Sequence, residues 1–278
     1  MNKFFVFVFF FVMVLSAAFA AAEDEGIGLS VGLEFGIENV NKANDEDMNP
    51  YLMPMLIYEN SFLDETLDVY AELDDKLGFT QVPNDDGDEV NPQSMYIDLM
   101  IGYNLGLGEA STLSFILENE DEIIISPRLT NGINLTGIFT PAVKYNHSLN
   151  FGDLFAQIGA PITYYDIAVD TVIGLDLTLG WSSTFGLGIE AKIRTLLSPG
   201  DDAGYTGFEA IISYEAESIY AEVQTIIPKE IDFEGITITP KFDYSFKNFT
   251  FYIKCEFARI GVDGGLSVTP ALGVKYSF

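Results

Sequence analysis

The chain has 278 residues, 42 of them Asp or Glu against 13 Lys and Arg, for a formal net charge of -29, which excludes electrostatic binding to nucleic acid or to an anionic lipid surface. A mean hydropathy of +0.22 and 14% aromatic residues exclude a disordered acidic chain. Charge and apolar surface must therefore lie apart, and the single cysteine, Cys255, excludes a disulfide framework.

The first segment, MNKFFVFVFFFVMVLSAAFA, places one cation, Lys3, before an uncharged apolar block from Phe4 to Leu15 and a run of small residues. This is the layout of a secretory signal peptide over residues 1–22, cleaved after Ala20 or Ala22. Residues 23–278 then form a single exported domain with 12 cations against 42 acids, or -30. No later stretch approaches the ~18 uninterrupted apolar residues of a transmembrane helix. Any membrane crossing is left to strands.

Period-two alternation starts at once. In IGLSVGLEFGIE, Ile27, Leu29, Val31, Leu33, Phe35 and Ile37 fall on one face and Gly28, Ser30, Gly32, Glu34, Gly36 and Glu38 on the other. Segments of the same kind predict strands over 27–38, 51–60, 66–75, 95–105, 111–120, 134–146, 153–164, 172–182, 185–195, 207–216, 218–228, 235–246, 249–258 and 265–278. That makes about fourteen, with twelve as the alternative count. The connections alternate between short ones, such as Phe246-Lys247-Asn248-Phe249, and longer acidic ones, such as NVNKANDEDMNP and DKLGFTQVPNDDGDEVNPQS. Short turns on one side and long loops on the other describe an all-β fold: a transmembrane up-and-down antiparallel β-barrel with both termini on the short-turn side.

Each strand descending to the short-turn side ends on an outward aromatic: Tyr58, Tyr103, Tyr145, Trp181, Tyr214, Tyr244 and Tyr276. A ring of amphipathic aromatics at headgroup level is what a membrane interface selects. Pro54, Pro141 and Pro240 precede three of these tyrosines at a common P-x-x-x-Y spacing, which reads as a repeated hairpin unit. Together with Pro161 and Pro270 they fall inside predicted strands, and the missing N–H places them at bulges or near the rims.

The chain closes on GGLSVTPALGVKYSF, with Leu272, Val274, Tyr276 and Phe278 in step on the apolar face. With the signal segment and the alternating strands, this ending resembles that of bacterial outer-membrane β-barrel proteins, and strand number and length resemble those of small porins. The resemblance implies an outer-membrane location, membrane lipid as partner, long acidic loops outside the cell, and periplasmic termini. It also implies that Leu272, Val274, Tyr276 and Phe278 are read by the barrel assembly machinery.

The non-lipid face is charged. Glu34, Glu38, Asp68, Glu72, Asp74, Asp98 and Glu118 point inward from the first five strands, with no inward Lys or Arg beside them. Later strands add Lys144, Lys192, Arg194, Lys241, Lys254 and Lys275, mixed with Asp176, Glu190, Glu209, Glu215, Glu222, Asp243 and Glu256. Dry unpaired carboxylates are prohibitively costly, so a water-filled passage follows. Fourteen strands lie between the roughly eight whose side chains fill the interior and the 16 to 18 of open porins. The expected function is passive diffusion of small hydrophilic solutes with a preference for cations, in a protein favoured to be a monomer.

Three other readings compete. A lumen plugged by ion-pair networks, by inward Tyr70, Tyr96, Tyr220 and Tyr252, or by the loop from Lys76 to Ser94 would leave a structural or adhesive surface protein. Its acidic runs Asp45-Glu46-Asp47 and Asp85-Asp86-Gly87-Asp88-Glu89 could hold Ca²⁺, although their spacing fits no EF-hand loop and a solvated loop is the simpler reading. An enzyme has little support: the lone histidine, His147, sits in a short turn beside Ser148, and no nucleophile, phosphate-loop or metal-ligand motif occurs. No metal or cofactor is expected. A soluble two-sheet sandwich would not explain aromatics gathered at one strand end. Cys255, among outward Phe251, Ile253 and Phe257, reads as a lipid-facing apolar group, and the glycines of GIGLSVG and FGLGIE as relief of crowding in the lumen.

Overall fold

The computed structural model describes residues 28–40, 48–63, 66–83, 89–126, 135–165, 172–197, 204–228, 235–260 and 265–278; residues 1–22 and the acidic runs 45–47 and 85–88 lie outside them. Among the described residues every regular element is a strand. The first half of the wall is β1 (Leu29–Glu38), β2 (Asn49–Phe62), β3 (Leu67–Gly78), β6 (Gln93–Gly106), β7 (Ser111–Ser126) and β8 (Leu135–Leu149). Two short elements, β4 (Val82–Pro83) and β5 (Glu89–Val90), pair with each other in the loop between β3 and β6 and stand outside the wall.

The wall continues through β9 (Gly152–Gly159), β10 (Ile162–Tyr165), β11 (Val172–Ser183), β12 (Leu187–Leu196) and β13 (Gly204–Ala216). It ends with β14 (Ile219–Pro228), β15 (Ile236–Phe246), β16 (Phe249–Ile260) and β17 (Ser267–Ser277). β9 and β10 are one strand interrupted at Ala160 and Pro161, since both lie between β8 and β11. Every neighbour in the sheet is a neighbour in sequence, and β17 returns to pair with β1 from Ser30↔Ser277 to Gly36↔Ala271. This is a closed fourteen-strand up-and-down antiparallel barrel.

Alternation sets the two faces. Outward Leu33, Phe35, Ile101, Phe115 and Leu117 are exposed, and Leu179 at 65% and Ile253 at 61% are more open than any aqueous surface would favour. A continuous apolar band around a closed wall is the arrangement that a bilayer selects. The inward face carries the charges and, on β2, the buried Tyr51, Met53, Met55 and Ile57.

The prolines depart from expectation. The register irregularities fall at Gln93/Ser94, Arg194/Thr195 and Ile236/Ile238, none of them a proline. Pro161 alone breaks a strand; Pro54, Pro141, Pro240 and Pro270 stand inside continuous ones. A proline forfeits only its own N–H, and its carbonyl still accepts: Ala160 donates to Pro141 at 2.9 Å and Gly174 to Pro161 at 2.8 Å. One ladder bond lost per proline, on the order of 1 kcal/mol, is tolerable within a closed wall.

Candidate functional site

Among the described residues, the inner face of the wall carries a cavity toward each end. The one toward the long loops has a volume of ≈ 680 Å³ and is lined by β1, β2, β3, β6 and β14 to β17, including Glu38, Tyr51, Lys76, Tyr96, Glu222 and Lys254. The one toward the short turns has ≈ 540 Å³ and includes Asp68, Met100, Asn104, Ser114 and Lys144. Asp98 is the inward residue of β6 between Tyr96 of the first and Met100 of the second. Of the loop between β3 and β6, the described residues 79–83 and 89–92 line neither cavity; Phe79 and Thr80 instead bond back to Pro50, Met48 and Asn49.

The carboxylates fall into two sets. In the first, each forms an ion pair with a Lys or Arg. Asp176, 4% exposed, accepts Arg194 Nε at 2.8 Å and Nη2 at 2.6 Å, with Lys192 Nζ at 3.4 Å. Lys241 pairs with Asp243 at 3.2 Å. Glu38 accepts Lys76, whose ammonium also stands 4.7 Å over the Tyr51 ring. Lys76 corrects the expectation of an early wall free of inward cations: β3 runs on to Gly78, past the predicted end at residue 75.

Glu34 is the most enclosed group. It is 1% exposed and takes Tyr51 Oη on Oε1 at 2.8 Å, Tyr252 Oη on Oε2 at 2.7 Å and Lys254 Nζ on Oε2 at 2.8 Å. Both tyrosine rings lie flat on glycines of the neighbouring strand. A Cβ on Gly36 would sit 2.4 Å from Tyr51 Cζ, and one on Gly273 2.3 Å from Tyr252 Cζ. Phe155 covers Gly180 in the same way, with Lys144 4.1 Å above its ring. Tyr51 was absent from the inward tyrosines read from sequence, although its odd spacing from outward Tyr58 places it on the opposite face.

The second set sits row on row along the ladder, and cations reach it electrostatically from other strands: Lys275 acts on Asp74, Lys192 and Lys144 on Glu118, and Arg194 on Glu120. Glu72 on β3, Asp98 on β6 and Glu120 on β7 are direct cross-strand neighbours in one row. The row above is Asp74, Tyr96 and Glu122; the row below is Tyr70, Met100 and Glu118. Tyr70 donates to Glu72, while Asp68 accepts Ser61 Oγ and Asn104 Nδ2, each at 2.7 Å. Asp74 Oδ1 is buried without a protein partner among the described residues. These carboxylates make an acidic stretch of wall between the residues that line the two cavities.

No family model matches the chain, and no curated protein matches it. Among solved structures, the chain is similar to a triple mutant of the porin of Rhodopseudomonas blastica, with a TM-score of 0.42 and 9% identity over 90% of this chain and 99% of that one. It is also similar to the toluene transporter TodX of Pseudomonas putida, with a TM-score of 0.48 and 13% identity over 90% of this chain and 88% of that one.

The aromatics of the descending strands gather at the short-turn end. Tyr58, Tyr103, Tyr145, Trp181 and Tyr214 stand opposite Leu29, Leu67, Leu113, Leu154 and Leu187; Tyr244 and Tyr276 stand opposite Ile219 and Phe249. Tyr276 packs edge-on against Phe249 and Phe278, both at 4.9 Å. Leu272, Val274 and Tyr276 pair outward with Phe35, Leu33 and Val31 of β1, and Phe278 N–H donates to Leu29 at 3.0 Å. Lys275 is inward, 5.8 Å over the Tyr252 ring. Cys255 faces Pro270 in an outer apolar groove beside Pro240 and Leu272.

His147 is a correction. It lies in β8 rather than in a turn, opposite Ser111, whose Oγ is 2.9 Å from its Nδ1; Ser148 is opposite Asp153 instead. Tyr145 stacks on it at 6.4 Å and also reaches Ser111 Oγ at 3.1 Å. The trio forms part of the aromatic rim.

Proposed function

We propose that the protein is a bacterial outer-membrane channel for passive diffusion of small hydrophilic solutes, with a preference for cations and no catalytic chemistry. The observation that carries this reading is the row Glu72, Asp98 and Glu120, three carboxylates that are direct cross-strand neighbours between the residues lining two cavities of the inner face. Carboxylates so placed need water, and a water-filled passage lined by fixed negative charge concentrates cations. Folded protein, identified by fast migration in unboiled SDS, is expected to give discrete conductance steps in a planar bilayer. Under a tenfold KCl gradient the reversal potential is expected to have the sign of cation flow. Folded protein without steps removes the channel reading, and an anion-signed potential removes the preference.

Export through residues 1–22 and insertion with the aromatic rim toward the periplasm complete the reading, with the acidic loops outside. On it, the terminal strand is the segment handed to the assembly machinery. Deleting Phe278, which caps Tyr276 and ties back to Leu29, is expected to lower the heat-modifiable form in outer-membrane fractions several-fold. Undiminished assembly counts against that role.

A further inference from the structure

Lys241, Lys254 and Lys275 stand on three consecutive strands and face the lumen around one ring, that of Tyr252. Lys241 and Lys254 are direct cross-strand partners. Three free ammoniums on this arc would work against cation passage, so what becomes of each one matters. Lys241 has Asp243, Lys254 has Glu34, and Lys275 acts electrostatically on Asp74.

Glu34 does not meet a passing ion directly. At 1% exposure it is shut behind Tyr51 and Tyr252, whose hydroxyls occupy one oxygen each. Its third bond is to the Lys254 ammonium, which keeps a 34% exposed side chain on the edge of the larger cavity. Charge-assisted hydrogen bonds of this length are among the stronger polar contacts, and two preset tyrosines fix the carboxylate where it meets the lysine. From this geometry we infer that Glu34 is a positioning residue for ion selectivity: it holds the Lys254 ammonium against the wall and cancels its charge. The inference rests on the channel reading above. Without Glu34, the four-carbon stem of Lys254 carries an unpaired cation into the cavity that both residues line.

The mechanism predicts an asymmetry. E34Q, which keeps the shape and an acceptor oxygen, is expected to lower the cation-to-anion permeability ratio about two- to three-fold, the factor a unit charge makes roughly 6–10 Å from an ion in an aqueous dielectric. K254M is expected to leave the ratio near wild type, because a carboxylate shut in behind the rings without its cation is costlier to keep charged than to neutralise with a proton. The double variant E34Q/K254M is expected to return to wild type. Equal and opposite shifts in E34Q and K254M overturn the inference, since they would make Glu34 an ordinary lumen charge; so does an unshifted E34Q.

A second readout needs no conductance. A membrane-impermeant sulfonated succinimidyl ester, with peptide mass mapping, is expected to label Lys254 faster in E34Q than in wild type; equal rates overturn the inference. Should E34Q not fold, the wild type decides, because Lys254 is expected to react more slowly than Lys275, and equal rates are again the overturning result. Failure of the channel reading is distinct: no conductance steps, with the labelling contrast intact.

Discussion

Replacing Glu72, Asp98 and Glu120 by Gln, Asn and Gln is expected to lower the cation-to-anion permeability ratio by about ten-fold, roughly a factor of two for each charge removed beside an aqueous path. The reason is register. The three residues face each other directly across β3, β6 and β7, and Asp98 lies between the residues lining the two cavities. Like charges directly opposite in a sheet repel, at about half a kcal/mol per pair, so the same triple variant is expected to gain stability by about 1 kcal/mol. Loss of selectivity with gain of stability is the signature of groups kept for function. Reversal potentials and the temperature at which the compact SDS band converts to the unfolded one read the two effects together. At 1 M salt, where the screening length is about 3 Å, the selectivity difference is expected to shrink markedly. A triple variant with unchanged reversal potential would mean that ions do not pass along this wall.

The two faces of the wall wrote the fold into the sequence. An apolar outer face and a polar inner one force period two along each strand, and the fourteen strands are legible from that alternation. Their ends are harder to read, because a strand that runs past the apolar band is polar on both faces and loses its pattern while its ladder continues. β7 is the case in point. Prediction ends it at residue 120, where outward Asn119 and Asp121 break the apolar alternation, yet it pairs with β8 as far as Ile123 and runs to Ser126. Lys76 was missed for the same reason, one residue beyond the predicted end of β3. Partners across the ladder lie deeper still. Glu34 depends on Tyr51, 17 residues away, and on Tyr252, 218 away; Ser111 and His147 are 36 apart. The face of each residue is legible from parity, but the pairing needs the register, which turn lengths alone do not fix.

The inward glycines lead to the second large effect. Gly273→Ala and Gly36→Ala are each expected to lower unitary conductance on the order of a third to a half, the scale on which one displaced aromatic narrows an aqueous passage. Alanine suits strand backbone at both positions, so the cost is local. A methyl on Gly273 would lie 2.3 Å from Tyr252 Cζ, and one on Gly36 2.4 Å from Tyr51 Cζ. The rings have only one way to go, since the wall is behind them: they swing into the lumen and give up their hydroxyl bonds to Glu34. Gly102 is the internal control, inward on β6 with its nearest neighbour 3.7 Å from a built Cβ, so Gly102→Ala is expected to conduct as wild type. Adding Tyr252→Ala to Gly273→Ala is expected to restore conductance, because the ring rather than the methyl does the obstructing. If Gly273→Ala conducts as freely as Gly102→Ala, or if removing the ring fails to rescue it, these glycines merely fit the backbone and do not hold the passage open.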